Sequence, residues 1–456
     1  MAMWKSFLGG LDSNLKGFLK RSAVVSIMRI AGLLCVFALQ LLLARLMGDS
    51  EEYGKYAWGQ SILFLGGTLT AMGIPIVTAR FVASLSAQEN HQSVPEVIGK
   101  ARALLLRSSG FLLMLALALA LLWSNETHSD FHKEMLVLAL LLAPGVSFLL
   151  LYQNIAMSRQ WFILAFLPMW VLRPVTTALL AFILWSISGN QLDGRDTVLL
   201  VGLSVLLVTL SQAWIYHRKE RAMPGNGNSS ESNAEFRPSE LFVTSLPLFV
   251  TRIAGLVIEY SNILLLGFLA GAAAAGPYFA AERLALLALI PSAIVGSVNQ
   301  AGIAAAYATK DKSNLKMLVA QTAHGKLWPS LAIAAGLVIF ADPLLSLFGG
   351  DFSNSAPILM ILALGQIVRA SIGAGHELLV MSGRQKLLPG VMISTAIFHV
   401  LLLCFLVPAF SATGAAVASV ASGVLWSLWI LILVKRELAI NPTVLAGRKG
   451  RDVNIL

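Results

Sequence analysis

The sequence predicts an all-α, polytopic membrane protein, and three observations support this fold class. First, 57% of the 456 residues are hydrophobic and 12% are charged, about half the charged fraction that is usual in soluble domains. Second, apolar runs long enough to cross about 30 Å of hydrocarbon recur along the whole chain. Third, the lipid core holds no water to satisfy backbone hydrogen-bonding groups, so runs of this length must form helices.

Twelve apolar runs predict twelve transmembrane helices. Their bounds are 22–47, 55–83, 101–124, 134–157, 161–187, 196–216, 241–270, 276–308, 326–348, 354–382, 386–408 and 412–434. Before the first run, segment 1–21 places leucines and aromatic residues at helical spacing between lysines. This pattern predicts an amphipathic helix that lies in the membrane interface. Because the first run is long and follows Lys16, Lys20 and Arg21, we expect a retained span rather than a cleaved signal peptide.

Basic residues in alternate loops predict that both chain ends are cytoplasmic. With this orientation the inner loops collect most lysines and arginines, and the outer loops are mainly acidic. The net charge of +10 then follows from topology and from contact with anionic lipid of the inner leaflet, so no nucleic-acid partner is required. Cys35 and Cys404 both lie inside predicted spans and indicate neither a disulfide framework nor a metal site.

A repeated pentapeptide indicates an internal duplication. The sequence RIAGL occurs at 29–33 and again at 252–256. Two further matches have the same offset of 223 residues, and a third follows after a one-residue slip: 41–43 with 264–266, Gly48 with Gly271, and 54–56 with 276–278. Six predicted spans separate the copies, so both cross the membrane in the same direction. Parallel repeats of this kind place a substrate site at their interface.

The longest polar stretch between spans divides the chain into two predicted lobes. Segment 217–240 is rich in Gly, Ser and Asn, which is typical of a flexible linker. We expect it on the cytoplasmic side, between an N-terminal lobe (22–216) and a C-terminal lobe (241–436). A cytoplasmic tail, 437–456, completes the predicted organisation.

The sequence LARLMGDSEEYGKYAWGQSILFLGGTLTAMGIPIVTAR, residues 43–80, resembles the opening of the polysaccharide transporter family. These are the Wzx-type flippases of lipid-linked oligosaccharides, within the multidrug/oligosaccharidyl-lipid/polysaccharide exporter superfamily. The shared pattern is a Met-Gly turn, then Tyr-Gly-x-Tyr, then Gly-Ile followed by Arg80. APILMILALGQIVRASIGAGHELLVMSGRQK at 356–386 and TGAAVA at 413–418 continue the likeness. The resemblance extends over about residues 20–436.

The resemblance implies two six-helix bundles that form a V around a central cavity, open alternately to each side. It implies a flippase, not an enzyme, in the bacterial inner membrane. The expected substrate is an undecaprenyl-diphosphate-linked oligosaccharide, the repeat unit of O-antigen, capsule or exopolysaccharide. We expect a monomer that works beside polysaccharide polymerase machinery. The lipid II flippases are similar but carry two further spans, so the oligosaccharide-lipid branch fits better.

Five arginines inside predicted spans are the candidate substrate-binding residues, because charge within a membrane is costly and usually functional. They are Arg29, Arg173, Arg252, Arg283 and Arg369. Alternative explanations are that Arg29 and Arg252 snorkel to inner headgroups, that Arg283 pairs locally with Glu282, and that Arg173 and Arg369 form structural pairs. A cavity with this arginine excess would attract anions, and guanidinium groups match the geometry of a diphosphate.

Two acidic residues are candidates for coupling to an inward proton or sodium gradient. Glu259 follows Arg252 by seven residues, two helical turns along the same face, so it can either pair with Arg252 or titrate. Glu282 is the second candidate. Glu377, near the inner end of the tenth predicted span, is expected at the membrane interface. No metal and no other cofactor is predicted.

Two other classes of protein compete with this prediction. A multidrug or organic-cation antiporter of the same superfamily would favour acidic residues in its cavity, which the arginine excess opposes. A membrane-bound polysaccharide polymerase or ligase would need catalytic groups in an outer loop or re-entrant segment. The longest predicted outer connection, 124–133, is short, and no P-loop, zinc motif or nucleophile elbow occurs.

Overall fold

A computed structural model describes residues 13–88, 93–122, 130–189, 191–221 and 238–444, and every regular element in these ranges is helical. The α-helices are α1 (Ser13–Met47), α2 (Ser50–Ala71), α3 (Ile74–Ala87), α4 (Val94–Leu122), α5 (Asp130–Ser158), α6 (Phe162–Leu167), α7 (Arg173–Ile187), α8 (Gly194–Arg221), α9 (Pro238–Ala270), α10 (Ala272–Ala285), α11 (Ile290–Ala308), α12 (Lys312–Ile339), α13 (Ala341–Ser346), α14 (Ala356–Ser371), α15 (Gly375–Met381) and α16 (Leu388–Leu438). A π-helical turn (Pro168–Leu172) joins α6 to α7, and short 3-10 turns occupy Leu286–Leu289, Gly350–Ser355 and Gln385–Leu387. The predicted all-α class is confirmed.

Eight helical segments of the described chain are long and apolar enough to cross a membrane, and the α2–α3 pair, bent by 47°, makes a ninth. The protein is therefore a multi-pass membrane protein, and the number twelve stays a prediction. The predicted ninth run, 326–348, is divided between α12 and α13. The last two predicted spans form one 51-residue helix, α16, which is interrupted at Ser411 by non-helical backbone angles (φ 51°, ψ −131°).

The two halves of the chain repeat the same helix contacts. Helices α1 and α7 pack together as α9 and α16 do, and α5 packs on α8 as α14 packs on α16. The turns that precede α2 and α10 each use a glycine at positive φ, +70° for Gly48 and +88° for Gly271. These correspondences support the internal duplication. The lobe bounds and the flexible linker stay predictions, because 222–237, like 1–12 and 445–456, lies outside the described residues.

Helices α2 and α10, one from each half, cross where both lack a side chain. A Cβ atom on Gly54 would lie 1.9 Å from the carbonyl oxygen of Ala272, and one on Gly276 would lie 2.0 Å from that of Ser50. The two contacts are equivalent under the internal repeat, because Gly276 lies 222 residues after Gly54 and Ala272 lies 222 residues after Ser50. A repeat-related pair that touches must lie beside the axis that relates the two halves, so this crossing marks that axis.

Further contacts join the halves around this crossing, at what we call the Gly48/Gly271 end. Arg45 donates to the carbonyl oxygens of Leu347 (2.6 Å) and Ser346 (3.0 Å), and Trp58 Nε1 donates to Leu264 O (3.1 Å). A fully buried aromatic cluster fills the space between the halves; its members are Tyr53, Tyr56, Phe279, Phe348 and Phe352. The two halves are therefore closely packed at this end, which the predicted orientation places on the outer side of the membrane.

Candidate functional site

A cavity of about 450 Å³ lies within the C-terminal half of the protein, in the size range of small-molecule sites. Four helices, α9, α10, α14 and α16, form its walls. The polar and charged residues that line it are Arg252, Glu259, Asn262, Tyr278, Glu282, Arg283, Gln366, Arg369, Thr395, His399, Ser419, Ser422 and Trp426. In a chain this apolar, so many polar groups around one space indicate a binding site.

Helical spacing explains why these residues meet. On α9, Arg252, Gly255, Glu259 and Asn262 recur at intervals of three and four, so they share one face. The same spacing holds on the other walls of the cavity. Glycine keeps part of the space open, because a Cβ atom on Gly255 would meet only Met392, at 3.7 Å.

Two of the cavity arginines face glutamates in loose ion pairs. Arg252 Nη2 lies 4.0 Å from Glu259 Oε2, and both side chains are 52% exposed. Arg283 Nη2 lies 3.8 Å from Glu282 Oε2, and its guanidinium also sits 4.2 Å from the centre of the Phe279 ring. The exposed Arg252–Glu259 pair contributes little to stability. The Arg283 and Glu282 side chains are only 27% and 17% exposed, but their separation is too long for a direct hydrogen bond. Both arginines are therefore available to another anion.

The third arginine, Arg369, has no carboxylate within 4 Å among the residues that the structure describes. It is exposed although it lies in the apolar helix α14, because its side chain borders the cavity. Its guanidinium carbon is 5.9 Å from the centre of the Trp426 ring. With three arginines against two glutamates in its lining, the cavity has an excess of one positive charge.

Several polar atoms of the cavity walls are buried and have no hydrogen-bond partner within the described part of the chain. They are Arg283 Nε, Gln366 Oε1, Thr395 Oγ1 and His399 Nε2. The other imidazole nitrogen of His399, Nδ1, is 2.9 Å from Ser422 Oγ. An unsatisfied buried polar atom costs about 1–3 kcal/mol, so these atoms suit a ligand rich in hydrogen-bonding groups.

The structure brings Arg252, Arg283 and Arg369 into one cavity and places Arg173 outside its lining. The Arg173 side chain is 8% exposed, stacks 4.9 Å from the centre of the Phe64 ring and donates from Nε to Met169 O (3.3 Å). It still lies near enough to Arg283 for electrostatic interaction. Arg29 is in helix α1, but its side chain lies outside the described residues. The cavity lining therefore comes from one half of the chain, whereas the predicted site used both.

The two copies of RIAGL have different surroundings. Gly255, in the second copy, borders the cavity. Gly32, in the first copy, packs against the π-helical turn, where a Cβ atom would lie only 2.6 Å from the Cβ of Trp170. The two copies keep the same amino-acid sequence, but Gly32 is packed against a neighbouring helix whereas Gly255 borders a cavity.

Sequence reasoning missed Trp426, Gln366, Thr395 and Asn262 as cavity residues. Three of them carried a usable signal, since Gln366 lies three residues before Arg369, Thr395 four before His399, and Asn262 three after Glu259. Trp426 has no such spacing to any of these residues. What the sequence alone lacked was the rotation of each helix about its own axis, which decides whether such a face meets a cavity or a neighbour.

The sequence also did not reveal a buried ion pair outside the cavity lining. Lys326 Nζ lies 2.6 Å from Glu377 Oε1 and donates to Gly373 O (2.9 Å); the two side chains are 8% and 10% exposed. Glu377 is buried against α11, where a Cβ atom on Gly296 would lie 2.5 Å from its Oε1; its position at the membrane interface stays a prediction. This pair fastens α12 to α15 and α11.

Replacing Lys326 by Met is expected to destabilise the protein, because Glu377 would keep a buried charge without a partner. Loss of one partner of a buried pair costs about 3–5 kcal/mol, so the thermal unfolding midpoint in detergent should fall clearly. The double variant Lys326→Met/Glu377→Leu should recover most of the loss, since it removes both charges. An unchanged midpoint in Lys326→Met would show that the pair contributes no stability.

Comparisons with known proteins agree with this architecture. A profile of the family described as polysaccharide biosynthesis protein matches residues 18–303. A comparison with curated proteins found no match. Among solved structures, a multidrug resistance MATE family transporter of the MOP superfamily, in its inward-facing conformation, is similar with a TM-score of 0.71 and 13% identity, over 91% of this chain and 98% of that one.

Two further solved structures are similar to this chain at comparable identity. The lipid II flippase MurJ, in an inward closed conformation, is similar with a TM-score of 0.66 and 14% identity, over 91% of this chain and 87% of that one. A MOP superfamily transporter from Pyrococcus furiosus, whose binding pocket is described as having reverse polarity, is similar with a TM-score of 0.60 and 15% identity, over 92% of this chain and 96% of that one. At these identities the likeness shows the fold alone, which is that of a MOP superfamily transporter.

Proposed function

The chain belongs to the polysaccharide biosynthesis protein family, and from this premise we propose that it is a flippase for an undecaprenyl-diphosphate-linked oligosaccharide. It would move this lipid from the cytoplasmic to the outer face of the bacterial inner membrane. The glycan would travel in the polar cavity while the prenyl tail stays in lipid. One observation carries the proposal: three arginines on three different helices meet in one cavity of a chain with a transporter fold.

The diphosphate is the part of the substrate that these arginines recognise best. Its oxygens accept paired hydrogen bonds from a planar guanidinium, and each such bond is stronger than one between neutral groups. The ion pairs of Arg252 and Arg283 with their glutamates are long. A doubly charged diphosphate can therefore replace the glutamates as the anion beside these arginines. Arg29, the repeat mate of Arg252, is proposed to contribute from the other half, and Arg173 and Arg369 to extend the basic surface.

Alternating access supplies the movement in this proposal. The halves touch at the Gly48/Gly271 end through the glycine crossing and the aromatic cluster. Substrate would enter from the cytoplasmic side, and this contact would then open to release it outside. Both states require that the cavity face water, which the exposed Arg252, Glu259 and Arg369 side chains favour.

Transport into vesicles tests the function directly. The full-length protein is reconstituted with a labelled undecaprenyl-diphosphate-linked oligosaccharide, and the fraction of label in each leaflet is followed with an impermeant glycan-modifying reagent. Protein-containing vesicles should equilibrate the label between leaflets much faster than empty ones. Movement of cationic dyes with no movement of this lipid would establish the antiporter instead. Lengthening or cleavage of the glycan would establish a polymerase or ligase.

Glu259→Gln is expected to remove the dependence of transport on an ion gradient. We propose that this carboxylate, and Glu282 beside it, takes up a proton or sodium ion when the diphosphate occupies the arginines. A glutamine amide takes up no proton in this pH range and lacks the negative charge that holds a sodium ion. Transport by the variant should be the same with and without an imposed proton or sodium gradient, whereas the native protein should respond to one of them. The matched control is Glu96→Gln, at an exposed pair on α4; an unaltered gradient response in Glu259→Gln would exclude this role.

A further inference from the structure

The cavity has two walls with different chemistry. The α9–α10 wall carries two arginines, each opposite a glutamate. The α14–α16 wall carries Arg369 and Trp426 and no acidic residue. A ligand that spans the cavity would therefore contact two arginine–glutamate pairs on one side. On the other side it would contact Arg369, which has no carboxylate opposite it in the cavity lining, and the Trp426 ring.

Arg369 is held in place without using its hydrogen-bond donors. Its aliphatic stem packs on Gly423, where a Cβ atom would lie 3.7 Å from the Arg369 Cγ and Cδ atoms. Its guanidinium carbon lies 5.9 Å from the centre of the Trp426 ring, at the outer limit of a cation–π contact. Within the described part of the chain it forms no ion pair, so its donors point to a ligand that carries an acceptor.

Trp426 and the unpartnered polar atoms around it match the surface of a sugar ring. A pyranose has an apolar face of C–H groups that packs on an indole, and a rim of hydroxyl groups that donate and accept hydrogen bonds. On the same wall, Gln366 Oε1, Thr395 Oγ1 and His399 Nε2 are buried and have no partner among the residues that the structure describes. Thr395 and His399 are 2% and 1% exposed. All three residues line the cavity, beside the space that a sugar ring would occupy.

We propose that the α14–α16 wall is a glycan subsite that binds an acidic sugar, with Trp426 under the ring and Arg369 on its carboxylate. This inference rests on the proposed function and names the class of glycan that the flippase prefers. A diphosphate alone would not explain the wall, because its oxygens are strongly hydrated and it has no apolar surface to place on an indole. A uronic acid has the apolar face, the hydroxyl rim and the negative charge together.

Three probes separate the glycan subsite from the diphosphate site: a short prenyl diphosphate that carries glucuronic acid, one that carries glucose, and one with no sugar. Binding of each to the purified full-length protein in detergent is measured by calorimetry. The native protein should bind the glucuronic acid probe about tenfold more tightly than the glucose probe, the factor expected for one charge-assisted contact. Arg369→Gln should bring this ratio to about one.

Trp426→Ala should weaken both sugar-bearing probes about tenfold relative to the sugar-free probe. Matched controls lie on the same helix: Trp429→Ala, whose indole is 39% exposed outside the cavity lining, and Arg436→Gln, at the exposed end of α16. Both should keep the native preference.

Two outcomes would overturn the subsite. If the native protein bound the glucuronic acid and glucose probes with equal affinity, the proposed preference for an acidic sugar would be wrong. An equal loss of affinity for all three probes in Arg369→Gln would assign Arg369 to the diphosphate. Failure of the native protein to bind any probe, the sugar-free one included, would instead refute the proposed function itself.

Discussion

Arg252→Gln is expected to reduce transport of the lipid-linked oligosaccharide at least about tenfold while the protein still inserts and folds. Hydrogen bonds to a charged group contribute about 1.5–3 kcal/mol, and every 1.4 kcal/mol is about a factor of ten in affinity. Lysine at this position should restore part of the activity, because it keeps the charge but loses the paired geometry of the guanidinium. Transport per molecule and protein abundance are measured together for each variant.

The ion pair with Glu259 provides the decisive control. If Arg252 only neutralised Glu259, the double variant Arg252→Gln/Glu259→Gln would restore transport, because it removes both charges of the 4.0 Å pair. If Arg252 binds the diphosphate, the double variant stays inactive. Arg29→Gln, the repeat mate, is measured as a single variant, because the position equivalent to Glu259 is Val36. Native transport per molecule in both single variants would leave the repeated RIAGL as a trace of duplication only.

Gly54→Val is expected to abolish transport by preventing the two halves from meeting at the Gly48/Gly271 end. Even a Cβ atom there would lie 1.9 Å from the carbonyl oxygen of Ala272, and the backbones of α2 and α10 would have to separate. The variant should therefore remain open at this end. A cysteine placed at the fully buried Ala57, with Cys35 and Cys404 replaced by alanine, should then react with an impermeant maleimide from outside.

Gly110→Val is the matched control for the crossing, because nothing lies within 4 Å of a Cβ atom built at that position. It should keep native transport, and the cysteine at position 57 should react no faster than it does in an otherwise native protein. Since the crossing is reciprocal, Gly276→Val should behave as Gly54→Val does. Normal transport in Gly54→Val would show that the closed contact is not a step of the cycle.

The internal repeat illustrates how far sequence reasoning reached. Matching letters at Gly48 and Gly271 predicted two equivalent turns, and both glycines adopt positive φ. The match between 54–56 and 276–278 gave no hint that its two glycines touch each other across the halves. That contact depends on where the axis between the halves passes, which no pattern within one segment contains.

The cavity shows the same division. The sequence identified Arg252, Arg283, Arg369 and Glu259 as costly charges within apolar helices, and all four line one space. It could not distinguish them from Arg173, which is equally deep in its span but packs on Phe64. The position of an arginine within its span sets the energetic cost of its charge, and this position can be read from the sequence. The residues that surround the arginine depend on how each helix is rotated about its axis.

Run length, composition and backbone hydrogen bonding in lipid are local properties, so the sequence alone predicted a helical protein that crosses a membrane several times and carries positive charge within its spans. Tertiary structure alone decided that the cavity lies within the C-terminal half, that Trp426 stands beside Arg369, and that Lys326 holds Glu377. Those facts arise from contacts between residues far apart in the chain, and close packing allows one arrangement of the helix faces among many that the sequence pattern permits.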